Sequence, residues 1–547
     1  MDNGHAFNLL TEAWLPVIRA SGRGSAVRPD QLTDRIADDP ILDLDFPRPD
    51  FRCATLEYLI GLLTVACPPR NNWDAWWKAP PSRAELEAAV APFKPVFSFD
   101  GDGARAYQDH DDITTEPTAI EALLIEAPGA AAVKKNTAFL VKAGRIEVLS
   151  RSAAANALLT LQTMAPAGGA GHRTSLRGGG PLTTLVLPKV PATLWHRLWA
   201  NVPMADEPAT PAEFSRIFPW LAPTRLSHAG GQTTTPEDVD WRQAFFGMPR
   251  RIRLDFEPNI DQLPCDLTGV IDDVIVRTYR TRPHGTNYEA WGGRHPLTPH
   301  YRAKAGDPAL YPVHGQDGRI GYRQWVAMLY GDKAGQREPA KCVSLFVSER
   351  KDDLPRGERF FRLMASGYAM DNMKALAFVE AETPEITVPE VGADIVATKA
   401  RDLVAAANVA AVTLGQAVKM ALYGDGADIG ADTTPLTTTR DRFWTDTNDR
   451  FFSTLNDLST QPVKQLTGEG AMHLAQTWRA VLERAALAIF DDIAPVQDTL
   501  SHDIKRVVEG RRFLVRTLLG YGKRGVEFFK DLQLPVPEMK TKRGKAA

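Results

Sequence analysis

The segment best suited to contact a ligand through its backbone runs from Gly168 to Gly180. Within PAGGAGHRTSLRGGGP, six glycines surround His172, Arg173 and Arg177. Glycine tolerates positive φ and has no side chain to hold a ligand away, so clustered glycines let backbone N–H groups approach a ligand closely. The interleaved arginines favour an anionic ligand. The chemistry that this segment predicts is therefore non-covalent binding.

Acidic residues are absent from the surrounding 58 residues, Val148 to Ala205, although acids and bases are balanced elsewhere. A basic, acid-free, backbone-exposing segment is typical of contact with the phosphates of a nucleic acid. Two alternatives remain open for this segment. One is a surface loop in which the glycines only make turns. The other is a nucleotide-binding loop, although neither G-x-x-x-x-G-K-[ST] nor G-x-G-x-x-G is matched.

A second basic segment, Arg277 to Lys304, carries six Lys or Arg against the single acid Glu289. Cations that neutralise phosphates, beside aromatic rings that stack on bases, are the usual composition of a nucleic-acid surface. A solvated loop with a few buried aromatic side chains is the alternative. The interleaved aromatic residues are Tyr279, Tyr288, Trp291 and Tyr301.

The sequence shows no established pattern for catalysis, metal binding or disulfides. The four cysteines are scattered with no C-x-x-C pair, which argues against disulfides and a zinc finger. Neither H-E-x-x-H nor G-x-S-x-G occurs. The acids flanking His110 lie in a polar stretch and are expected to be solvated. We predict no catalytic residue, no metal and no cofactor.

The composition sets the class of protein. A chain of 547 residues exceeds the roughly 250 to 300 residues that one hydrophobic core covers, so two or more domains are expected. A formal net charge of −3 gives no overall attraction to nucleic acid, so local patches or partner molecules must supply it. The N-terminus shows no signal sequence and no apolar run approaches the ~20 residues of a membrane helix. We expect a cytoplasmic protein.

The elements that must position these segments change character along the chain. Residues 1–388 contain a buried helix at about 51–66 and many short strands, which predicts an irregular mixed α/β domain. After the extended segment TPEITVPEVG, residues 393–547 have helical periodicity. The fold class is therefore α+β, with a C-terminal four-helix bundle. Its helices are predicted at about 398–423, 441–458, 471–490 and 503–521.

Several sequence motifs carry a resemblance to a known family. They are FNLLTEAWLPV from Phe7, KKNTAF from Lys134, SLRGGGPLTTLV from Ser175, GMPRRIRL from Gly247 and SGYAMDNMKAL from Ser366. With these motifs the chain resembles the CasA family, the large subunit of the type I-E CRISPR surveillance complex called Cascade. The family's architecture, a mixed domain followed by a four-helix bundle, agrees with the division above.

The resemblance implies a non-catalytic function. Such a subunit recognises the protospacer-adjacent motif of double-stranded DNA from the minor groove, helps open the duplex for guide RNA and recruits a helicase-nuclease. Minor-groove recognition depends strongly on groove width and close fit, which suits a glycine loop. The implied partners are the other Cascade subunits, CRISPR RNA, double-stranded target DNA and the helicase-nuclease. An enzyme that binds a nucleotide or phosphate through the Gly168 to Gly180 loop is the alternative.

The resemblance also implies site residues. The minor-groove loop corresponds to Gly168, Gly169, Ala170 and Gly171, whereas Gly178 to Gly180 would be a structural turn. A groove lysine corresponds to Lys304, with Arg302 as its rival, and a duplex-splitting wedge corresponds to Asp371 and Asn372. A loop that contacts the guide and target corresponds to Lys134, Lys135, Asn136 and Phe139.

Some members of the family bind zinc through two cysteine pairs. Here the first place has LSRSAA from Leu149, and the second retains only Cys265. The resemblance therefore implies no zinc in this chain.

Overall fold

The computed structural model describes residues 6–70, 73–137, 141–169, 171–228, 230–316, 318, 320–371, 374–429, 433–495 and 503–538. The chain forms two units. The first comprises residues 1–318 and 339–383, and the second comprises 319–338 and 384–547. The segment 319–338, which the sequence places in the N-terminal domain, belongs to the second unit because α8 packs against α10 and α11.

Short strands and helices of very different length alternate along the chain. The described strands are β1 (Val17–Arg19), β2 (Gly22–Arg23), β3 (Ile41–Leu44), β4 (Thr118–Ala119), β5 (Leu149–Ser150), β6 (Thr183–Pro188), β7 (Thr233–Thr234), β8 (Arg251–Pro258), β9 (Val274–Arg282), β10 (Asn287–Tyr288), β11 (His300–Tyr301), β12 (Tyr311–Pro312), β13 (Arg337–Glu338), β14 (Phe361–Asp371) and β15 (Lys374–Glu382). The described helices are α1 (Pro49–Ala66), α2 (Trp73–Lys78), α3 (Arg83–Val90), α4 (Ala130–Lys134), α5 (Arg151–Met164), α6 (Leu194–Trp199), α7 (Phe214–Ile217), α8 (Tyr322–Tyr330), α9 (Lys341–Leu345), α10 (Ala393–Tyr423), α11 (Thr434–Thr460), α12 (Glu469–Ile493), α13 (Ile504–Leu518) and α14 (Gly522–Asp531). The predicted α+β class is confirmed.

Two antiparallel sheets organise the first unit. In one, β14 lies between β6 and β15. In the other, β9 pairs with β8, β4 and β5. Every residue of β6 is buried, as its β-branched and leucine-rich sequence requires of a strand covered on both faces.

Helix α1 is the central helix of the first unit. Its sequence FRCATLEYLIGLLTVA is nearly continuously apolar, and all its residues beyond Arg52 are buried. A helix that is apolar on all sides must be covered on all sides. Helix α5 packs along it, and Phe245 lies against Gly61, where a Cβ atom would come within 2.5 Å of that side chain. The one acid in the middle of this helix, Glu57, is 2% exposed.

Glu57 forms a buried ion pair that joins α1 to the glycine-rich segment. Its carboxylate accepts a hydrogen bond from Arg177 Nη2 at 2.7 Å and another from the Thr183 hydroxyl. Arg177 Nη1 also donates to Thr298 at 2.8 Å. Burial, with Arg177 nearby, holds the pKa of His295 well below its usual range. His295 is therefore neutral and does not replace Arg177 as the cation beside Glu57. A buried carboxylate needs such partners because leaving it unpaired is costly.

The second unit is a helical bundle, as predicted. Its core includes an aromatic stack in which the ring centroids of Tyr322 and Phe451 lie 4.3 Å apart. The indole of Trp478 donates to the Leu403 carbonyl at 3.0 Å. Besides the four long helices, the bundle includes α8 and the short α14, neither of which the periodicity of the C-terminal region had predicted. Helix α11 begins seven residues earlier than predicted, just after Thr433, with Pro435 in its first turn.

Helix α10 is the one described helix that is long and apolar enough, by length and composition, to cross a membrane. The sequence had not led us to expect an apolar run of this length. Within the bundle, α10 contacts α11, α12, α13 and α14. Its many buried alanines let these neighbours approach closely, so its apolar composition is that of a core helix.

We predict that replacing Arg177 by Met destabilises the first unit by about 3 to 5 kcal/mol, because Glu57 is then buried without its cation. The double variant Glu57→Gln/Arg177→Met should recover most of that loss, since a neutral pair carries no unpaired charge. Denaturant unfolding followed by tryptophan fluorescence measures both. The surface variant Arg277→Met should change stability by less than about 0.5 kcal/mol. Equal instability of the single and double variants would contradict this explanation.

Candidate nucleic-acid interface

The first part of the glycine segment is a closed turn with an open apex. The Gly168 N–H donates to the His172 carbonyl at 3.1 Å, and the His172 N–H donates back to the Gly169 carbonyl at 2.8 Å. Gly169 has a φ of +69°, which favours glycine, and no described atom lies within 4 Å of where its Cβ would be. Ala170 lies outside the described residues. The turn therefore presents backbone to solvent.

The flanks of this turn are held by hydrogen bonds. The Gly171 carbonyl accepts from the His284 N–H at 2.9 Å. The guanidinium of Arg173 donates to the hydroxyl and the carbonyl of Ser227, at 2.8 and 2.6 Å. Arg173 therefore fixes the turn in place, whereas the sequence had suggested that it contacts phosphate.

The second part, Gly178 to Gly180, is packed against other segments. His314 Nδ1 lies 2.7 Å from the Gly179 carbonyl oxygen. A Cβ at Gly180 would collide with the Tyr368 carbonyl. This part leads directly into β6, so its contacts are those of a structural turn.

The cations of the acid-free stretch are mostly neutralised in space. Arg177 is paired with Glu57. Arg151 lies 2.8 Å from Asp272, and Arg197 lies 2.7 Å from Asp43. The interpretation of these arginines as phosphate contacts was wrong for Arg177, because acids from distant segments fill the gap that the sequence leaves locally.

A similar correction applies to one of the acids near His110. Asp109 is fully buried and accepts from Arg251 at 2.5 Å, and Asp112 pairs with Arg253 at 3.2 Å. The expectation that these acids are solvated is wrong for Asp109, whereas Asp111 and Asp112 are exposed. Asp109 and Asp112 also neutralise two arginines of β8.

The basic segment Arg277 to Lys304 has few exposed aromatic rings. Tyr279 and Trp291 are buried, and the Tyr288 hydroxyl accepts from the Met248 N–H at 2.9 Å. Only Tyr301 is exposed, with its ring centroid 5.6 Å from that of Tyr311. The predicted series of base-stacking rings is therefore wrong for three of its four members, which pack inside the unit.

The loop between β11 and β12 carries both candidates for the groove cation. Arg302 Nη1 donates to the Asp307 carbonyl at 2.6 Å and so braces the loop. Lys304 is exposed, and its carbonyl accepts from the Asp307 N–H at 3.1 Å. This arrangement favours Lys304 as the cation that reaches outward.

The wedge candidates lie where β14 and β15 join. Asp371 pairs in register with Lys374, and residues 372–373 connect the two strands. Asn372 lies outside the described residues. Asp371 is the exposed last residue of β14.

Three of these candidate parts are joined by main-chain contacts. The Leu182 N–H, just after the glycines, donates to the Val313 carbonyl at 2.9 Å. The Gly315 N–H donates to the Gly180 carbonyl at 3.2 Å, and Gly315 also bridges Ala369 of β14. The glycine segment, the chain leading from the Lys304 loop, and the strand leading to Asp371 are therefore held together.

The guide and target loop candidates lie at the end of α4 and just after it. Lys134, Lys135 and Asn136 are all exposed, and Asn136 has a φ of +50°. Phe139 lies outside the described residues. The stretch just before this helix, from Ala122 to Ala127, lines a cavity together with Gly168 and His172.

Arg250, at the back of this cavity, was missed by the sequence analysis. Its guanidinium lies under Gly168 and donates to the Pro166 carbonyl. The available signal was the motif GMPRRIRL, in which three arginines occur at and just before the start of β8.

Metal-ligating side chains are dispersed. In the described part of the chain, no group of three or more His, Cys, Asp or Glu side chains could hold a metal ion. All four cysteines are buried free thiols, and burial raises the pKa of the Cys53, Cys67 and Cys342 thiols to about 12.

Comparison with known proteins gives the family. Residues 8–489 match the family model described as CRISPR-associated protein Cse1. The fold is similar to that of CasA from Thermus thermophilus, at 19% identity and a TM-score of 0.65, over 94% of this chain and 100% of that one. Thermobifida fusca Cse1 is 16% identical with a TM-score of 0.67, over 96% of this chain and 98% of that one.

A chain from a solved CRISPR RNA-guided surveillance complex is also similar. It is 16% identical with a TM-score of 0.66, over 94% of this chain and 99% of that one. Since the family model spans most of the sequence, the resemblance suggested by the motifs is confirmed. The chain belongs to the CRISPR-associated protein Cse1 family, the CasA-type large subunits of type I-E Cascade.

Proposed function

We propose that this chain recognises a short motif beside the target in double-stranded DNA, from the minor groove. The observation that carries the proposal is the turn from Gly168 to His172, which is closed by hydrogen bonds and open at Gly169. A rigid turn without side chains at its apex fits a narrow groove, where shape and close approach matter as much as hydrogen bonds.

The neighbouring parts extend this proposal to duplex opening. The loop carrying Lys304 supplies a cation to the groove, and the β14–β15 connection at Asp371 and Asn372 acts as the wedge. Because these parts are joined to the glycine segment by main-chain contacts, motif binding and strand separation occur at a fixed spacing. Guide RNA then pairs with the exposed target strand, which supplies the rest of the sequence specificity.

The proposed partners follow from this assignment, in which the protein reads the motif and the guide RNA reads the target. They are the other Cascade subunits, CRISPR RNA, target DNA and a helicase-nuclease that cleaves in trans, all acting in the cytoplasm. Lys134, Lys135, Asn136 and Phe139 meet the guide and the start of the target. In this proposal the chain itself is not catalytic. A nucleotide-binding enzyme is disfavoured because Gly178 to Gly180 lead into a strand, whereas a phosphate-binding loop of that class opens a helix.

The Gly169→Val variant tests the glycine turn. A reconstituted complex should lose about tenfold of its preference between duplexes that differ only beside the target, which is about 1.4 kcal/mol. Bulk at the apex keeps the backbone out of the groove. Competitive binding of the two duplexes measures the preference.

Gly269→Val is the matched control, because Gly269 also has a φ of +69° and open space at its Cβ position. It carries the same backbone strain and should keep the preference. An unchanged preference in the Gly169→Val complex, or ATP hydrolysis that this substitution abolishes, would refute the proposal.

The Lys304→Gln variant tests the groove cation. It should weaken duplex binding and reduce the magnitude of the slope of log affinity against log salt by about 0.9, the value for one phosphate contact on duplex DNA. Titrations at several salt concentrations measure the slope. Lys78→Gln, at another exposed lysine of the first unit, should leave it unchanged. Identical slopes for Lys304→Gln and the unsubstituted chain would count against Lys304.

A further inference from the structure

A cavity of about 360 Å³ lies beside the glycine turn. It is roughly ten times the ~30 Å³ that one water molecule occupies in the liquid, so it has room for a chemical group. Its lining includes Gly168 and His172 of the turn and, from the stretch that precedes α4, Ala122, Leu124, Ile125 and Ala127. Arg250, Tyr279 and Thr281 add polar groups to the lining.

Arg250 is a buried cation without an acidic partner among the described residues. It is 9% exposed, and its Nε is buried with no hydrogen-bond acceptor in the described structure. Its guanidinium donates to the Pro166 carbonyl. Burial lowers the pKa of Arg250 to about 10, so it stays charged at neutral pH despite the cost.

The other arginines that are at least nine-tenths buried in the described chain all have compensating partners. Four of them pair with carboxylates, and these are Arg177, Arg242, Arg251 and Arg253. The fifth, Arg350, donates to the carbonyls of Trp199, Ala200 and Val202 at the end of α6. Within this described set, Arg250 alone has neither a carboxylate nor a set of carbonyls, so its cavity lacks a negative charge.

No acid lines this cavity among the described residues, and the acids next to it in sequence are used elsewhere. Glu121 accepts from the Gly144 N–H at 2.7 Å. Glu126 pairs with Arg48 at 2.5 Å. Burial, together with the nearby Arg250 and His284, lowers the pKa of His172, so that ring is a neutral hydrogen-bonding group at neutral pH. The cavity therefore offers one cation, an imidazole and hydroxyl groups.

We propose that this cavity, the Arg250 pocket, binds a phosphate group. Guanidinium groups bind phosphate oxygens through strong, paired hydrogen bonds, and a buried one loses least of that energy to solvent. The pocket is lined by residues of the glycine turn and of the stretch leading to Lys134. We therefore identify the bound phosphate as a phosphodiester of nucleic acid. This identification rests on the proposed function. Free phosphate has the same chemistry.

The test uses the full-length chain and two probes. Inorganic phosphate is titrated by calorimetry, and a fluorescein-labelled oligothymidine is titrated by anisotropy. Arg250→Met should weaken oligothymidine binding about tenfold and reduce the magnitude of its salt slope by about 0.7, the value for one phosphate on a single strand. Arg356→Met, at an exposed arginine outside the pocket and outside both basic segments, should change neither.

Since Arg250 also supports the turn through Pro166, a second variant leaves it in place. Ala122 is exposed and lines the cavity, so Ala122→Phe fills the pocket while Arg250 stays in place. It should weaken binding as Arg250→Met does.

The outcomes distinguish a phosphodiester of nucleic acid from free phosphate. Weakened oligothymidine binding, without measurable binding of inorganic phosphate, supports a phosphodiester. Inorganic phosphate that binds the unsubstituted chain and not the two variants supports the pocket with free phosphate as occupant. If neither probe binds, or if both variants bind as the unsubstituted chain does, the proposal is overturned. Motif preference is measured separately, so its absence would refute the proposed function and leave this result standing.

Discussion

The carboxylate of Glu57 is buried in the middle of a helix whose other residues are almost all apolar, and among the described residues the Arg177 guanidinium is the cation that neutralises it. A charge in that position is tolerated only with a partner in good geometry, so the helix dictates where Arg177 must lie. Thr183 and Thr298 form hydrogen bonds to this Glu57–Arg177 ion pair. The ion pair therefore also holds the start of β6 and the chain before β11.

The arrangement of the candidate interface follows from that constraint. Arg177 immediately precedes Gly178 to Gly180, so fixing its side chain fixes the structural turn that leads into β6. Through Gly180 and Leu182, this turn is bonded to the chain after β12. The glycine turn at Gly169 is then free to present its backbone, because its support comes from Arg173, His284 and Arg250 and not from the ligand.

Charge is distributed differently in space than along the chain. Many arginines in the two basic segments are neutralised by acids that lie far away in sequence, such as Arg151 by Asp272 and Arg280 by Asp255. This internal pairing is consistent with a net charge of −3 in a protein whose family works in an RNA-containing assembly. Two cations differ from these paired arginines: Lys304 is exposed, and Arg250 is buried without a carboxylate partner among the described residues.

The sequence alone determined the class of fold, the buried helix α1, the long helices of the bundle and, through its motifs, the family. These features depend on local periodicity and on contiguous residues. It could not show that Arg177 and Tyr279 are internal, that α8 joins the bundle, or that Arg250 is buried without an acid beside it in the described structure. Whether a charge or a ring is buried depends on which distant segments pack against it. Only the tertiary structure decided which basic residues are paired inside the fold and which are not.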